Sequence, residues 1–119
     1  MSDFTKLKVW DKAHRLALEI YKLTSKLPKE EIFGLTSQLR RAAISIVSNI
    51  AEGESRYTSK DKLNFFIQAR SSVAEVETQL LLTKDLYKNI SSETLELKEK
   101  YEELGKQINS LINFRRKNL

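Results

Sequence analysis

The residues able to do chemistry are few in this chain. His14 is the only histidine, cysteine is absent, and the three glycines, Gly34, Gly53 and Gly105, are scattered. A nucleophile with its base needs a serine, cysteine or threonine beside a histidine or equivalent, and no such pairing stands out. Carboxylate-bridged di-iron bundles need a Glu-x-x-His pair on each of two helices, which a single histidine cannot supply. Glu75 and Glu77, two apart, diverge on a helix and do not form a metal pair by themselves. Neither a G-x-G-x-x-G turn nor a P-loop can be assembled from isolated glycines. His14, between Ala13 and Arg15, reads as a solvated side chain. The expectation is a protein without catalytic, metal or cofactor residues, and not an enzyme.

A second constellation is basic and aromatic: Arg40, Arg41, Arg56, Tyr57, Lys60 and Lys62. Cations at this density contact phosphates, and an aromatic ring among them stacks on a base. Arg40, Arg41, Arg56 and Lys60 are the residues expected to meet phosphate. The same residues also read as a polar loop beside intramolecular ion pairs. Lysine and arginine number 21 against 16 acidic residues, a net charge of +5. That excess permits attraction to a polyanion but falls short of the strong basic footprint of dedicated nucleic-acid binders. It is unevenly spread: residues 6–29 are rich in lysine, Arg115, Arg116 and Lys117 close the chain, and Glu93, Glu96, Glu99, Glu102 and Glu103 make the last segment acidic at its start. Such asymmetry can orient subunits, steer a polyanion, or simply solvate a helix surface.

These residues must be positioned by helices, because breakers are scarce and Pro28 is the only proline. At 119 residues, without a composition break, the chain is expected to form a single domain over residues 1–119. Apolar residues at Val9, Ala13, Leu16, Ile20, Leu23 and Leu27, flanked by Trp10 and Ala17, predict a helix over 9–27 that Pro28 ends. Ile32 and Phe33 are expected to pin the following linker to the bundle end. A second helix is predicted over 35–52, stopped by Gly53 in the left-handed conformation. Thr58 or Ser59 caps a third over 59–88, with Asp61 in its first turn. Leu97, Tyr101, Leu104, Ile108, Leu111 and Ile112 make a bundle seam over 92–114. Gly105 interrupts it at a cost of about 1 kcal/mol relative to alanine, implying either a close helix approach or a loose turn. Short connections between four helices give an all-α, antiparallel up-down-up-down four-helix bundle. No apolar run reaches membrane-spanning length and the N-terminus has no leader-like apolar region, so a cytoplasmic protein with no membrane partner is expected.

The run from Gly34 to Gly53 has too many kinds of face for an isolated bundle helix. Leu35, Leu39, Ala42 or Ala43, Ile46 and Ile50 form a core stripe. Ile44, Val47 and Ala51 form a second. Gln38, Arg41, Ser45, Ser48, Asn49 and Glu52 form a polar line whose serines are short enough to admit another backbone. One reading is a core helix with a wet edge; the other is a helix packed inside its own subunit and against a neighbour. Arg41, Ser45, Ser48, Asn49 and Glu52 are then structural or interface polar residues. On the third helix Arg70 and Glu77 share a side with Ile67 and Ala74. They either sit at the rim with wet heads or pair with Glu52, Arg40 or Arg41 of the preceding helix.

Gly-Leu-Thr-Ser-Gln-Leu-Arg-Arg-Ala-Ala at 34–43 and Ser-Asn-Ile-Ala-Glu-Gly at 48–53 resemble the signature of the bacterial four-helix-bundle proteins encoded in 23S rRNA intervening sequences. Val-Trp-Asp-Lys-Ala at 9–13 and Ala-Glu-Val-Glu-Thr-Gln-Leu at 74–80 extend the resemblance over the first three helices. It implies a small bundle that assembles into a ring-like homopentamer. It also implies kinship with accessory proteins of diversity-generating retroelements, similar pentamers that bind nucleic acid and a reverse transcriptase. The family name reports a genetic location more than an activity. Val47 stands where many relatives have proline, which would bend the second helix.

The functional expectation is a non-enzymatic homo-oligomer, a pentamer, whose basic surface binds structured RNA or DNA or helps a reverse transcriptase or other nucleic-acid enzyme hold its template. The rival is a structural or protein-interaction module, antitoxin-like or scaffolding, with no nucleic-acid ligand, in which the charges set subunit register.

Overall fold

The computed structural model describes residues 3–117. Its helices are α1 (Lys8–Thr24), α2 (Leu35–Ser55), α3 (Ser59–Leu86) and α4 (Ser91–Lys117), with single 3-10 turns at Phe4–Lys6, Lys29–Glu31 and Lys88–Ile90. They form an all-α four-helix bundle of 46 × 21 × 20 Å. Contacts between helices run antiparallel around the bundle: Ser45 meets Ser72 while Gly53 meets Phe66, and Lys12 meets Glu103 while Lys26 meets Glu93. Every neighbour along the chain is therefore a neighbour in space, as short loops require.

The core follows the predicted stripes. Ala13, Leu16, Ala17, Ile20 and Leu23 of α1 face Leu39, Ala42, Ala43, Ile46 and Ile50 of α2 across a common interior with Leu63, Phe66, Val73, Val76 and Leu80 of α3 and Leu97, Tyr101, Leu104, Ile108 and Ile112 of α4. Ala42 and Ala43 are both buried, since small side chains let the helix axes approach. The second α2 stripe is only half inside: Val47 and Ala51 are partly buried and Ile44 is exposed.

Four local expectations are revised. Helix α1 ends at Thr24, three residues before Leu27, because Lys26 and Leu27 donate to carbonyls three residues back and tighten the chain ahead of Pro28. Ile32 and Phe33 do not pin the linker; both are exposed, Phe33 at 91%. Glu31 does so instead, one carboxylate oxygen accepting from the Leu35 amide at 3.2 Å and the other from the Tyr87 hydroxyl. Helix α3 stops at Leu86, where the Tyr87 amide closes the last turn on Thr83, and α4 runs from Ser91 through Lys117.

The fourth concerns Gly53, which does not terminate α2. The helix continues through it to Ser55, and no glycine has a positive φ. Gly53 is needed for space: a Cβ there would stand 2.6 Å from Phe66 Cε1 and 3.1 Å from Phe65 Cβ. Helix α2 is also continuous across Val47. At the other end of the corner, Thr58 caps α3 by accepting from the Asp61 amide at 3.1 Å, as predicted.

The two helical glycines should therefore respond oppositely to alanine. Gly53→Ala overpacks the α2–α3 contact and should cost about 1–3 kcal/mol in urea unfolding. At Gly105 a Cβ would meet only Val73 Cγ1, at 3.4 Å, so Gly105→Ala should stabilise the monomeric fold by up to about 1 kcal/mol.

Candidate nucleic-acid interface

The candidate cations do not lie together. Arg40 and Arg56 are separated by about 24 Å of α2, at 1.5 Å per residue. Arg40 is engaged within the subunit: its Nε donates to Thr24 Oγ1 at 2.9 Å, and its guanidinium carbon sits 4.4 Å from the Tyr21 ring centroid. That cation–π contact and hydrogen bond tie α2 to the C-terminal turn of α1. Arg41, on the adjacent face, is exposed and makes no hydrogen bond or ion pair among the described residues.

The other four residues gather at the α2–α3 corner. Arg56 forms a 3.0 Å ion pair with Glu52 and lies 4.6 Å above the Phe65 ring centroid, leaving its guanidinium half exposed. Tyr57 is fully exposed. Lys60 is exposed and unpaired among the described residues, whereas Lys62 is partly buried and donates to the Glu54 carbonyl at 2.8 Å. Lys62 therefore staples the corner, and Arg56, Tyr57 and Lys60 face solvent.

What joins this corner to the end of the chain is Glu54. Its carboxylate, nearly buried, accepts from Arg115 Nη2 at 3.0 and 3.2 Å. A charge withdrawn from water must be matched, and this pair matches two at once. It holds the last turn of α4 against the corner, and Arg116 and Lys117, which follow Arg115 in the chain, are both exposed. The terminal basic run was visible in sequence; Glu54, in the run Ala-Glu-Gly-Glu-Ser, carried no separate signal.

The polar line of α2 divides by direction. Ser45 and Asn49 turn toward α3: Ser45 Oγ lies 2.9 Å from Ser72 Oγ, and Asn49 Nδ2 donates to the Ser45 carbonyl and hydroxyl. The small residues at that level serve close packing within the subunit. Arg41, Ser48 and Glu52 face out. Arg70 and Glu77 pair with none of Glu52, Arg40 and Arg41, because their side of α3 faces α4 and not α2. Arg70 Nη1 donates to Asn109 Oδ1 at 3.0 Å. Glu77 is partly buried beside Lys98 and Glu102, and desolvation raises its carboxyl above the ordinary range despite the attraction of Lys98. The Lys98–Glu102 pair, at 2.7 Å, holds the Glu102 carboxyl below its ordinary range. His14 is exposed and stacks on Trp10 with centroids 5.0 Å apart.

Among the described residues no group of three or more histidine, cysteine, aspartate or glutamate side chains could hold a metal ion. None of the described helices is long and apolar enough to cross a membrane. The Tyr101 hydroxyl is buried without a partner among the described residues, and burial pushes its ionisation far above that of a free phenol.

Four antiparallel helices joined by short connections define a small four-helix-bundle protein. The chain belongs to the 23S rRNA-intervening sequence protein family, whose sequence pattern it matches over residues 5–110. It is similar to a crystal structure from Bacteroides thetaiotaomicron, a protein of unknown function from the S23 ribosomal protein family. The TM-score is 0.80 at 25% identity over 87% of this chain and 97% of that one. No curated protein matches the chain.

Two stability measurements check this geometry. Glu54→Ala strands Arg115 and should cost about 3 kcal/mol. Glu77 binds its proton more tightly in the folded state than in the unfolded one, so its ionisation opposes folding as pH rises from the ordinary carboxylate range through the raised folded value. Glu77→Gln should accordingly stabilise the protein at neutral pH and leave it nearly unchanged well below pH 4, read from thermal unfolding across pH.

Proposed function

We propose that this protein is a non-enzymatic, cytoplasmic bundle whose basic end binds the phosphates of RNA or DNA. The observation that carries the reading is the Glu54–Arg115 pair, which brings the end of α4, with exposed Arg116 and Lys117, to the corner that carries Arg56, Lys60 and a fully exposed Tyr57. Arg56 keeps one carboxylate partner, while Lys60, Arg116 and Lys117 have none among the described residues. Exposed cations release counterions when they meet phosphate, and an exposed ring among them adds a stacking surface.

A few charges per subunit make a weak site, and repetition makes it strong. Several copies presenting the same end to one polyanion gain through effective concentration. A homopentameric ring, implied by resemblance to the family and to retroelement accessory proteins, supplies that multiplicity. A reverse transcriptase or another nucleic-acid enzyme is the proposed partner. The exposed Arg41, Ile44 and Ser48 on α2 leave a mixed surface available for subunit contact.

A protein-interaction module without a nucleic-acid ligand is the second reading. It is favoured by the opposite end of the bundle, where Ile32, Phe33 and Leu86 are all exposed apolar residues. Clustered apolar exposure of this kind marks protein contact more than phosphate contact.

Salt separates the two. If phosphate is the ligand, affinity measured by fluorescence anisotropy falls linearly in log–log form with salt, and the double variant Arg56→Ala, Lys60→Ala lowers both affinity and slope, by about 0.7–0.9 in slope per lost contact. Binding indifferent to salt and to both substitutions would refute it. Light scattering at micromolar concentration checks assembly, and a monomer there would sink the ring.

A further inference from the structure

The α3–α4 side of the basic end carries a groove of about 380 Å3 that contains no carboxylate. Arg70 and Arg116 stand on its two walls, Asn109 and Asn113 lie one turn apart along α4, and Ile67 and Ile112 supply apolar surface. Arg70 is oriented by its 3.0 Å bond to Asn109 Oδ1, which leaves the Asn109 amide hydrogens and most of the guanidinium free to donate. Lys60 lies on the same side of α3 as Ile67, two turns nearer the corner.

We propose that this groove seats one unpaired nucleotide of a nucleic-acid strand, its phosphate between Arg70 and Arg116 and its base against Ile67 and Ile112 with an edge toward the asparagine amides. This rests on the nucleic-acid reading above and adds to it a site and a strandedness. The charge pattern sets direction. Farther along the same two helices the groove becomes mixed in charge, lined by Glu77 and Glu102 beside Arg70 and Lys106, so the carboxylate-free half near the corner is the one that suits a polyanion. The chemistry of the lining sets the class. Guanidinium forks match phosphate, amide side chains both donate and accept as base edges require, and the isoleucines favour an apolar face over water.

Access to the base bears on strandedness. At about 380 Å3 the open groove has room for a single nucleotide. A paired base keeps its faces stacked inside the duplex, and only an unpaired one can be turned into a cleft. Tyr57, on the adjoining corner, then offers a stacking surface for a neighbouring base of the same strand.

The test uses the full chain with a fluorescein-labelled ten-nucleotide oligouridylate and, separately, a ten-base-pair RNA duplex. Single-strand binding should exceed duplex binding at least tenfold. Arg70→Gln, and separately Ser71→Phe to obstruct the groove, should each weaken single-strand binding at least fivefold and leave duplex binding within twofold, with folding verified by circular dichroism. In parallel, uridine monophosphate titrated into labelled protein should shift the side-chain amide resonances of Asn109 and Asn113. Equal affinity for strand and duplex, or groove variants indistinguishable from wild type while Arg56→Ala with Lys60→Ala still weakens binding, overturns the groove and leaves phosphate binding at the corner standing. Absence of salt-dependent binding to either probe overturns both.

Discussion

The approach of α2 to α3 at Gly53 is the constraint from which the rest of the functional end follows. With Phe66 and Phe65 packed where a Cβ would stand, the two helices meet closely through their last and first turns. That contact allows α2 to run on to Ser55 and turn through only three residues before α3 begins. The tight corner forces Arg56 and Tyr57 outward. It also places Glu54, the residue after the glycine, at the inner edge of the corner, where its charge requires a partner.

Arg115 is that partner, and the pair does more than neutralise two buried charges. It fixes the last turn of α4 relative to the corner, so the terminal basic segment lies at the same end of the bundle as the corner although the two are separated by about half the chain. Buried ion pairs contribute little net stability because desolvation opposes attraction. Their value here is positional: few other partners of α4's last turn would hold Arg116 and Lys117 in one place. Lys62, reaching the Glu54 carbonyl, adds a second tie from α3.

The α1–α4 seam is built differently. Lys12–Glu103, Glu19–Lys100 and Lys26–Glu93 span it at its solvent edge, two of them pairing a lysine of the basic first segment with a glutamate of the acidic last one and the third running the other way. These pairs are exposed, so they orient the helices more than they stabilise them. Of the α1 lysines Lys12 is thereby paired within the subunit, while Lys8 and Lys22 stay exposed and without an ion pair among the described residues.

The four helices, their order and most of their inward faces are legible in the residue order alone, because 3.6-residue periodicity and the lack of breakers act locally. The residue order determined the family as well, through the run around Gly34 to Gly53. It also isolated Arg56, Tyr57 and Lys60, which are close in the chain and remain close in the fold. The relations between helices emerge only on packing: that Gly53 makes room and does not end α2, that Arg70 answers to Asn109 and not to α2, that Arg40 is drawn to Tyr21 and Thr24, and that Glu54 brings Arg115 to the corner. Periodicity names the face a residue occupies but not which neighbour stands opposite it. That choice depends on helix register and crossing, which are fixed only when all the side chains pack at once.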